Sequence, residues 1–221
     1  MEKRITVVTG CFGSGKSEIA VQLALNAAPR AKVTLADLDI VNPYFTSSRQ
    51  KEEMEAGGIM VVSPVFSGTG VEALAISPQL RAIFTKQAGI CVVDLGGDAT
   101  GATVLGSFAN EINAQGADML FVLNPYRPFT DTTRAALEMM RGIENKARVK
   151  VTGIINNANM VGETTPAHLA HGDAQCKDLA AQTGLPIVYH CGTQEILAQA
   201  KGLSGAPLAL TLRNRPADIF G

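Results

Sequence analysis

The sequence predicts an α/β fold in three layers, in which helices cover both faces of a mostly parallel sheet. Short apolar segments alternate with segments of helical composition along almost the whole chain. The apolar segments are hydrophobic throughout rather than at every second residue, which is typical of strands buried on both faces. The helical segments are long enough to cross over the sheet, and such crossovers are right-handed. We therefore expect one domain that spans residues 1–221.

The strands are expected where β-branched and apolar residues cluster between turn signals. The first expected strand precedes a glycine-rich segment, and the fourth is apolar until it reaches Asp94. The expected strands cover residues 4–9, 32–38, 59–62, 90–95, 119–123, 149–155 and 185–189.

Capping residues and glycines mark the ends of the expected helices. Ser77-Pro78 and Thr165-Pro166 each combine a capping residue with a proline in the first helical turn. Gly57 and Gly89 are typical helix stops. The segment around residues 204–207 is expected to be a loop, because it contains glycine and proline. The expected helices cover residues 18–28, 46–56, 78–88, 102–114, 130–145, 166–183 and 194–201.

Composition and charge exclude several classes of partner. The formal net charge is −1 and the pI is about 6.3, which gives no electrostatic basis for binding nucleic acid or anionic lipid. The N-terminal apolar run is too short for a signal peptide, and no stretch of about 18 apolar residues predicts a membrane span. We expect a cytoplasmic protein without a membrane anchor.

The four cysteines are scattered along the chain and form no C-x-x-C pair. Neither structural zinc nor a disulfide framework is therefore expected, and free thiols suit a cytoplasmic protein. A metal or iron–sulfur site shared between two subunits stays open, since it would need one or two cysteines from each. The histidines are not spaced for a metal site. The cysteines are Cys11, Cys91, Cys176 and Cys191, and the histidines are His168, His171 and His190.

A glycine-rich segment between the first strand and the first helix fits the phosphate-binding pattern G-x-x-x-x-G-K-[ST] at every fixed position. Its glycines let the backbone close on a polyphosphate, and its amides and the helix N-terminus point at the anion. Lys16 is expected to reach the β- and γ-phosphates and Ser17 to bind Mg²⁺. The alternative is a glycine-rich turn with a solvated lysine. The predicted phosphate-binding residues are Gly10, Cys11, Phe12, Gly13, Ser14, Gly15, Lys16 and Ser17.

Two aspartates follow the second expected strand. Asp37 and Asp39 are two residues apart and point the same way if the strand persists. One carboxylate suits a magnesium site, and the other suits the orientation or deprotonation of an attacking water; Asp39 is a candidate for both roles, and the candidate magnesium ligands are Ser17, Asp39 and Asp94. Asn42-Pro43 then marks a turn, which we expect to act as a mobile switch. The alternative is an acidic loop that caps a helix.

The fourth expected strand ends in Asp94, and Gly97 follows three residues later. An aspartate at the end of an apolar strand, near a phosphate loop, is the expected second magnesium position. The D-x-x-G spacing lets a glycine amide approach the γ-phosphate and change shape on hydrolysis.

These three motifs, in this order, resemble the SIMIBI class of P-loop nucleoside triphosphate hydrolases. The most similar group contains the MinD and ParA ATPases, the nitrogenase iron protein and the metallocluster-insertion ATPases. The resemblance implies that Lys16 and Ser17 are the phosphate-loop lysine and the Mg²⁺ ligand. It further implies that Asp39 positions water beside Asp37 in switch I, and that Asp94 and Gly97 begin switch II. It places Asn156, Asn157 and the segment 186–191 at the nucleotide base.

The sequence departs from this group at one position. Its members usually carry a second lysine after the first loop glycine, which reaches the nucleotide of the partner subunit; here the residue is Cys11. Arg127 and Arg49 are the candidate substitutes, the alternative being that both are surface cations. The Cys11 thiol either has a lowered pKa beside the helix N-terminus, as a redox-sensitive block, or fills a tight turn.

The resemblance implies a Mg²⁺-dependent ATPase of low turnover whose switch loops regulate a protein client or assist cofactor insertion. It also implies a homodimer across the nucleotide face. ATP is favoured over GTP because the N-K-x-D motif that complements guanine is absent. Two alternatives remain: a small-molecule kinase, and a nucleotide-binding regulator without significant hydrolysis.

Overall fold

The computed structural model describes residues 3–39, 51–62, 78–85, 89–97 and 99–211. In this part of the chain, eight strands form one parallel sheet in the order β3-β2-β4-β1-β5-β6-β7-β8. The strands are β1 Ile5–Gly10, β2 Val33–Leu38, β3 Ile59–Val62, β4 Ile90–Leu95, β5 Ala117–Leu123, β6 Gly153–Asn156, β7 Ile187–Gly192 and β8 Ala206–Ala209.

Helices cover both faces of the sheet, as the continuously apolar strands predict. The described helices are α1 Lys16–Ala27, α2 Lys51–Ala56, α3 Pro78–Thr85, α4 Ala99–Gly106, α5 Ala109–Gln115, α6 Thr133–Ala147, α7 Pro166–Thr183 and α8 Gln194–Gln199. A 3₁₀ turn spans Val161–Glu163. Because successive strand residues point to opposite faces, Val7 packs with α3 to α7 on one face and Val8 packs with α1 and α2 on the other. The expected three-layer α/β/α architecture is confirmed.

All seven expected strands are present, but the sheet has an eighth that the sequence did not indicate. The expected loop around residues 204–207 was wrong, since β8 begins at Ala206 and pairs with β7. Pro207 within it masked the signal, because proline is rare in strands. β8 lies at the edge of the described sheet, where a missing amide hydrogen is tolerated.

The helix expected at residues 102–114 is two helices, α4 and α5. α4 packs against α6, and a Cβ on Gly106 would collide with the Lys146 carbonyl. The chain then turns so that Phe108 is buried against the ring of Phe84, with 4.8 Å between ring centroids. This tertiary contact ends the helix where local propensity alone does not.

Other helix ends shift by a few residues, and some expectations fall on undescribed parts of the chain. α6 begins at Thr133 after a Thr132 cap rather than at residue 130. The expected helix segments 46–50 and 86–88, Ser77, the Asn42-Pro43 turn and Arg49 lie outside the described residues. Among the helices that are described, none combines the length and apolar character needed to cross a membrane.

Candidate functional site

The carboxyl ends of the parallel strands bring the predicted phosphate-side residues to one edge of the sheet. β1 lies at the centre of that edge, between β4 and β5. Asp37 in β2 is the register partner of Asp94 in β4, and Asp94 is in turn the partner of Val8 in β1. Open parallel sheets bind their ligands at this edge, so three separate sequence motifs converge on one site.

The loop between β1 and α1 is the frame of the site. Gly15 directly precedes α1 with a φ of 87°, a left-handed conformation that residues with a Cβ rarely adopt. The Ser14 amide donates to the Cys11 carbonyl at 3.1 Å and closes a turn. The amides at the N-terminus of α1 therefore open toward the carboxyl edge, where they suit an anion.

Lys16 forms a buried ion pair with Asp39 at the end of β2. The Nζ–Oδ2 distance is 2.6 Å, and the two side chains are 6% and 7% exposed. Burial alone would lower the pKa of Lys16, but the carboxylates of Asp94 and Asp39 outweigh it and raise the pKa above its usual value. Lys16 is therefore a permanent cation at neutral pH, linked to the start of the predicted switch segment.

Asp94 is a fully buried carboxylate. No described residue donates a well-formed hydrogen bond to either of its oxygens. The Ser17 hydroxyl is nevertheless near enough to lower the pKa of Asp94. Burial raises the pKa of Asp94 to about 6, while Lys16 and Ser17 lower it. A buried carboxylate with so little hydrogen bonding is costly to a fold. Such a cost is expected where the oxygens serve a cation that arrives with a ligand.

The oxygen atoms of Asp94 and its neighbours are suitable ligands for a magnesium ion. Proteins hold Mg²⁺ with one or two carboxylates, substrate phosphates and water rather than with a complete protein cage. Within the described ranges, no group of three or more His, Cys, Asp or Glu side chains is arranged to hold a metal unaided. The carboxylate of Asp94 and the hydroxyl of Ser17 are oxygen donors of the preferred type. Asp39, the other predicted ligand, is paired with Lys16.

Asp37 shapes the turn that follows β2. Its Oδ1 accepts a hydrogen bond from the Asp39 amide at 3.0 Å, and its side chain is almost fully buried. This is an Asx-type turn, which fixes the direction in which the chain leaves the strand. The two aspartates thus have different environments, because Asp39 reaches Lys16 while Asp37 holds the backbone of Asp39.

Gly97 packs directly against the phosphate loop. A Cβ on Gly97 would collide with the carbonyl of Gly10 and would lie 3.3 Å from the Cα of Cys11. The segment after β4 therefore contacts the loop through bare backbone. The D-x-x-G spacing predicted a glycine at this edge, but it gave no sign of a contact with Gly10.

The Cys11 thiol is buried rather than presented to solvent. Its Sγ lies 3.3 Å from the Thr130 hydroxyl, which also donates to the Asn124 carbonyl at 2.8 Å. Burial raises the pKa of Cys11, and this outweighs the lowering by Thr130 and Lys16. The hypothesis of a reactive, low-pKa thiol was therefore wrong, and Cys11 fills a tight turn. The neighbouring Phe12 is 67% exposed.

Arg127 reaches the phosphate loop from the segment that follows β5. Its Nε donates to the Gly13 carbonyl at 2.9 Å. The sequence offered Arg127 and Arg49 as cations near the site, with surface positions as the alternative. The structure places Arg127 against the loop, whereas Arg49 is outside the described residues.

The two asparagines expected at the base side are both buried. Asn156 donates from Nδ2 to the Leu169 carbonyl at 2.9 Å, and its Oδ1 accepts from the Ala158 amide. Asn157 donates from Nδ2 to the Ser14 carbonyl at 2.6 Å. Asn157 therefore connects the end of β6 to the phosphate loop. Their contact with a nucleotide base stays a prediction.

Two further asparagines organise this edge: Asn159, which clusters with Asn156 and Asn157 at a strand end in the sequence, and Asn124, to which the sequence assigned no role of its own. Asn124, at the end of β5, is buried; its Oδ1 accepts from the Tyr126 amide, and its Nδ2 donates to the Asn159 carbonyl. Asn159 in turn donates from Nδ2 to the Asn157 carbonyl at 3.0 Å. A polar residue directly after an apolar strand is the signal that marks Asn124.

The expected base-enclosing segment 186–191 lies mainly within β7. Cys191 is buried in the core, and the Nδ1 of His190 lies 3.0 Å from the Ser204 carbonyl. His168 and His171 lie on α7, where both rings contact Tyr126, with centroid distances of 5.1 and 5.6 Å. These histidines support the local packing beside the loop that carries Arg127.

Comparisons with known proteins match the fold. No protein-family model matches the chain, and no curated protein matches its sequence. Among solved structures, the cell division protein FtsY of Thermotoga maritima has a TM-score of 0.56 and 20% identity, over 85% of this chain and 61% of that one. A nucleotide-binding protein of Archaeoglobus fulgidus, in complex with ADP, has a TM-score of 0.54 and 17% identity, over 89% and 84% of the two chains.

A third structure is the signal recognition particle receptor FtsY of Elizabethkingia anophelis in complex with GDP. Its TM-score is 0.54 and its identity 16%, over 97% of this chain and 61% of that one. The chain thus spans less than two thirds of these FtsY chains. At such identities the likeness establishes the fold, which is the three-layer fold of P-loop nucleoside triphosphate hydrolases.

Proposed function

We propose that this protein is a Mg²⁺-dependent nucleotide-binding protein of the SIMIBI class that hydrolyses ATP slowly. The observation that carries the proposal is the buried carboxylate of Asp94, which has no well-formed hydrogen bond from a described residue. It lies beside Ser17 and Lys16 at the start of α1. A carboxylate, a hydroxyl and a cation beside a helix N-terminus are complementary to a magnesium nucleoside triphosphate.

Each group has a role that follows from its position. The loop amides from Gly13 to Ser17 and the Lys16 ammonium bind the β- and γ-phosphates. Asp94 and Ser17 hold Mg²⁺, which neutralises charge on the phosphate oxygens when bound. Asp39 orients the attacking water, and Asp37 positions Asp39 through its backbone amide.

Because Lys16 is paired with Asp39, nucleotide binding replaces the Asp39 carboxylate by a phosphate as the partner of Lys16. Lys16 is bound to Asp39 at 2.6 Å, and the γ-phosphate competes with that carboxylate for the ammonium. When the γ-phosphate displaces Asp39 from Lys16, the Asp39 carboxylate becomes available to a water molecule. Binding is thereby linked to a change in the switch segment, which is how we propose that the protein signals to a client.

We assign adenine as the preferred base. The N-K-x-D pattern that complements guanine is absent, and Asn157 stands at the end of β6. The solved neighbours include one complex with ADP and one with GDP, so direct competition between ATP and GTP is the appropriate test. A preference for GTP of more than about tenfold would contradict this assignment.

We propose that the protein is cytoplasmic and that its nucleotide face meets a second copy or a client protein. Phe12 and Phe129 are 67% and 71% exposed. Phe12 directly follows Cys11, and Phe129 directly precedes Thr130. Because Cys11 and Thr130 are in contact, both phenylalanines lie in segments beside the phosphate loop. Light scattering with and without ATP tests the dimer, and equal masses would contradict it.

Nucleotide affinity and turnover, measured for the wild type and for Lys16→Ala, test the central proposal. The wild type should bind ATP with Mg²⁺ and release phosphate, and Lys16→Ala should weaken ATP binding by about 100-fold or more. Lys150→Ala is the matched control, because the Lys150 side chain is 82% exposed and far along the chain from the loop. A wild type that binds neither ATP nor GTP would overturn the proposal, and tight binding without phosphate release would favour a regulator.

A further inference from the structure

The segment from Asn124 to Thr130 is a rigid platform beside the phosphate loop. The Arg127 amide donates to the Asn124 carbonyl at 3.2 Å, and the Thr130 amide donates to the Arg127 carbonyl at 3.2 Å. The Thr130 carbonyl accepts from Gln175 Nε2 on α7 at 2.9 Å. Prolines flank Arg127 on both sides of the turn, at positions 125 and 128, and restrict its backbone. The platform therefore holds the Cα of Arg127 in one place.

The side chain of Arg127 lies on the loop at Gly13. Besides the bond from Nε to the Gly13 carbonyl, a Cβ on Gly13 would lie 3.2 Å from Nε and 3.4 Å from Cδ. Gly13 also has a φ of 71°. A side chain at position 13 would thus be strained and would crowd the arginine. The glycine at position 13 therefore leaves room for the Arg127 side chain.

Arg127 forms no ion pair with any of the described residues. None of them places a carboxylate within 4.0 Å of the guanidinium group. The positive charge does act on the loop, since it contributes to lowering the pKa of the nearby Cys11 thiol against the larger effect of burial. With Nε bonded to Gly13, the four N–H donors on the two Nη atoms remain for other partners.

Phosphoryl transfer places special demands on a cation at this point. The loop amides face the phosphates, so Gly13 marks the rim of the anion site. As water attacks, negative charge grows on the transferring phosphoryl group and on the bridging oxygen, and a preorganised cation stabilises that charge. A guanidinium held at the rim by the same chain satisfies this need without a second subunit.

We propose that Arg127 stabilises the transition state for hydrolysis in cis, by contacting the γ-phosphoryl group of the nucleotide bound in its own loop. This inference rests on the proposed function. In the step, the water oxygen forms a bond to the γ-phosphorus, and the bond from that phosphorus to the bridging oxygen breaks. The electron pair of the broken bond remains on the leaving diphosphate, and the proton of the water passes to the phosphate product. Arg127 balances the charge and exchanges no proton.

The main alternative is that Arg127 only braces the loop through Gly13. The two roles differ in their effects. A brace affects every loop ligand alike, whereas a transition-state cation affects turnover and binding of a transition-state mimic but leaves ADP binding unchanged.

The test compares Arg127→Gln and Arg127→Lys with Arg134→Gln, a control at an 89% exposed arginine on α6. Arg127→Gln should lower kcat by about 100-fold or more and weaken binding of ADP with aluminium fluoride by a similar factor. Its ADP affinity should stay within about threefold of the wild type, and Arg127→Lys should recover part of kcat. Unchanged kcat, or equal losses for ADP and for ADP with aluminium fluoride, would overturn the inference. Thermal melting of each variant checks that it is folded.

A mixing experiment separates cis from trans action. Equal amounts of Lys16→Ala and Arg127→Gln should show no more turnover than the sum of the two, because neither chain contains both groups. Recovery of activity in the mixture would show that Arg127 acts on the partner's nucleotide and would contradict the cis assignment. If the wild type binds no nucleotide, the proposed function fails; if only the Arg127 outcomes fail, the proposed function stands.

Discussion

The phosphate half and the base half of the ligand edge use buried polar side chains in opposite ways. On the phosphate half, Lys16, Asp39 and Asp94 are buried charges, and Asp94 has no well-formed hydrogen bond from a described residue. On the base half, Asn156 and Asn157 are buried neutral amides that donate to backbone carbonyls. The buried carboxylate of Asp94 is unfavourable to the fold in the absence of a cation, whereas the hydrogen-bonded amides of the base half already stabilise the fold. The comparison predicts that substitutions on the two halves will separate stability from function in different ways.

Asp94→Asn should have the largest effect and should move stability and turnover in opposite directions. If Asp94 holds Mg²⁺ as proposed, its substitution should lower Mg²⁺-dependent turnover by about 100-fold or more. The pKa of Asp94 rises from 3.8 to about 6 in the folded protein, so its ionisation at neutral pH costs the folded state about 3 kcal/mol. Relief of part of that cost should make Asp94→Asn more stable than the wild type when nucleotide and Mg²⁺ are absent.

The pH dependence of this gain has a definite sign. Because the folded pKa lies above the unfolded one, the cost begins as pH rises past 3.8 and is complete above about 6. Urea unfolding in EDTA should therefore show a gain at pH 5 that is about half of the gain at pH 7.5. A variant that is less stable at pH 7.5 would contradict the view that Asp94 is a strained carboxylate.

Gly97→Ala should have the next largest effect, through shape rather than charge. A methyl group at Gly97 would collide with the Gly10 carbonyl, so either the loop or the segment after β4 must shift. We expect ADP and ATP affinities to fall by about tenfold, with a lower midpoint of thermal unfolding. Gly142→Ala on α6 is the matched control, because a Cβ there meets no atom within 4 Å. Wild-type affinity in Gly97→Ala would show that the close packing is not required.

Local sequence patterns predicted which residues of the phosphate half meet at one edge of the sheet, because those residues lie in short segments at strand ends. The loop, Asp39 and Asp94 each follow a strand, and a parallel sheet necessarily brings strand ends together. The contacts of Arg127 with Gly13 and of Gly97 with Gly10 are between residues far apart in sequence, and no local pattern encodes them. β8 and the break between α4 and α5 were missed for a related reason: tertiary packing outweighed local propensity there.

The resemblance to the SIMIBI class assigned Asn157 to the base, and the structure places this residue where the two halves meet. Its Nδ2 donates to the Ser14 carbonyl at 2.6 Å, and a Cβ on Gly15 would collide with the same nitrogen. The amide nitrogen is therefore engaged with the phosphate loop, while recognition of a base would have to use the side-chain oxygen. The position combines support of the loop with a predicted role in base selection.

Asn157→Asp and Asn157→Ala should have the smallest effects and separate these two roles. Losing the hydrogen bond to Ser14 should weaken ADP and GDP binding alike, by about five- to tenfold, which corresponds to about 1 kcal/mol. If Asn157 also selects the base, Asn157→Asp should shift the ratio of GDP to ADP affinity toward GDP, because a carboxylate accepts the hydrogen bonds that guanine donates. Calorimetric titration of both nucleotides measures the ratio. An unchanged ratio in Asn157→Asp would confine the role of Asn157 to support of the loop.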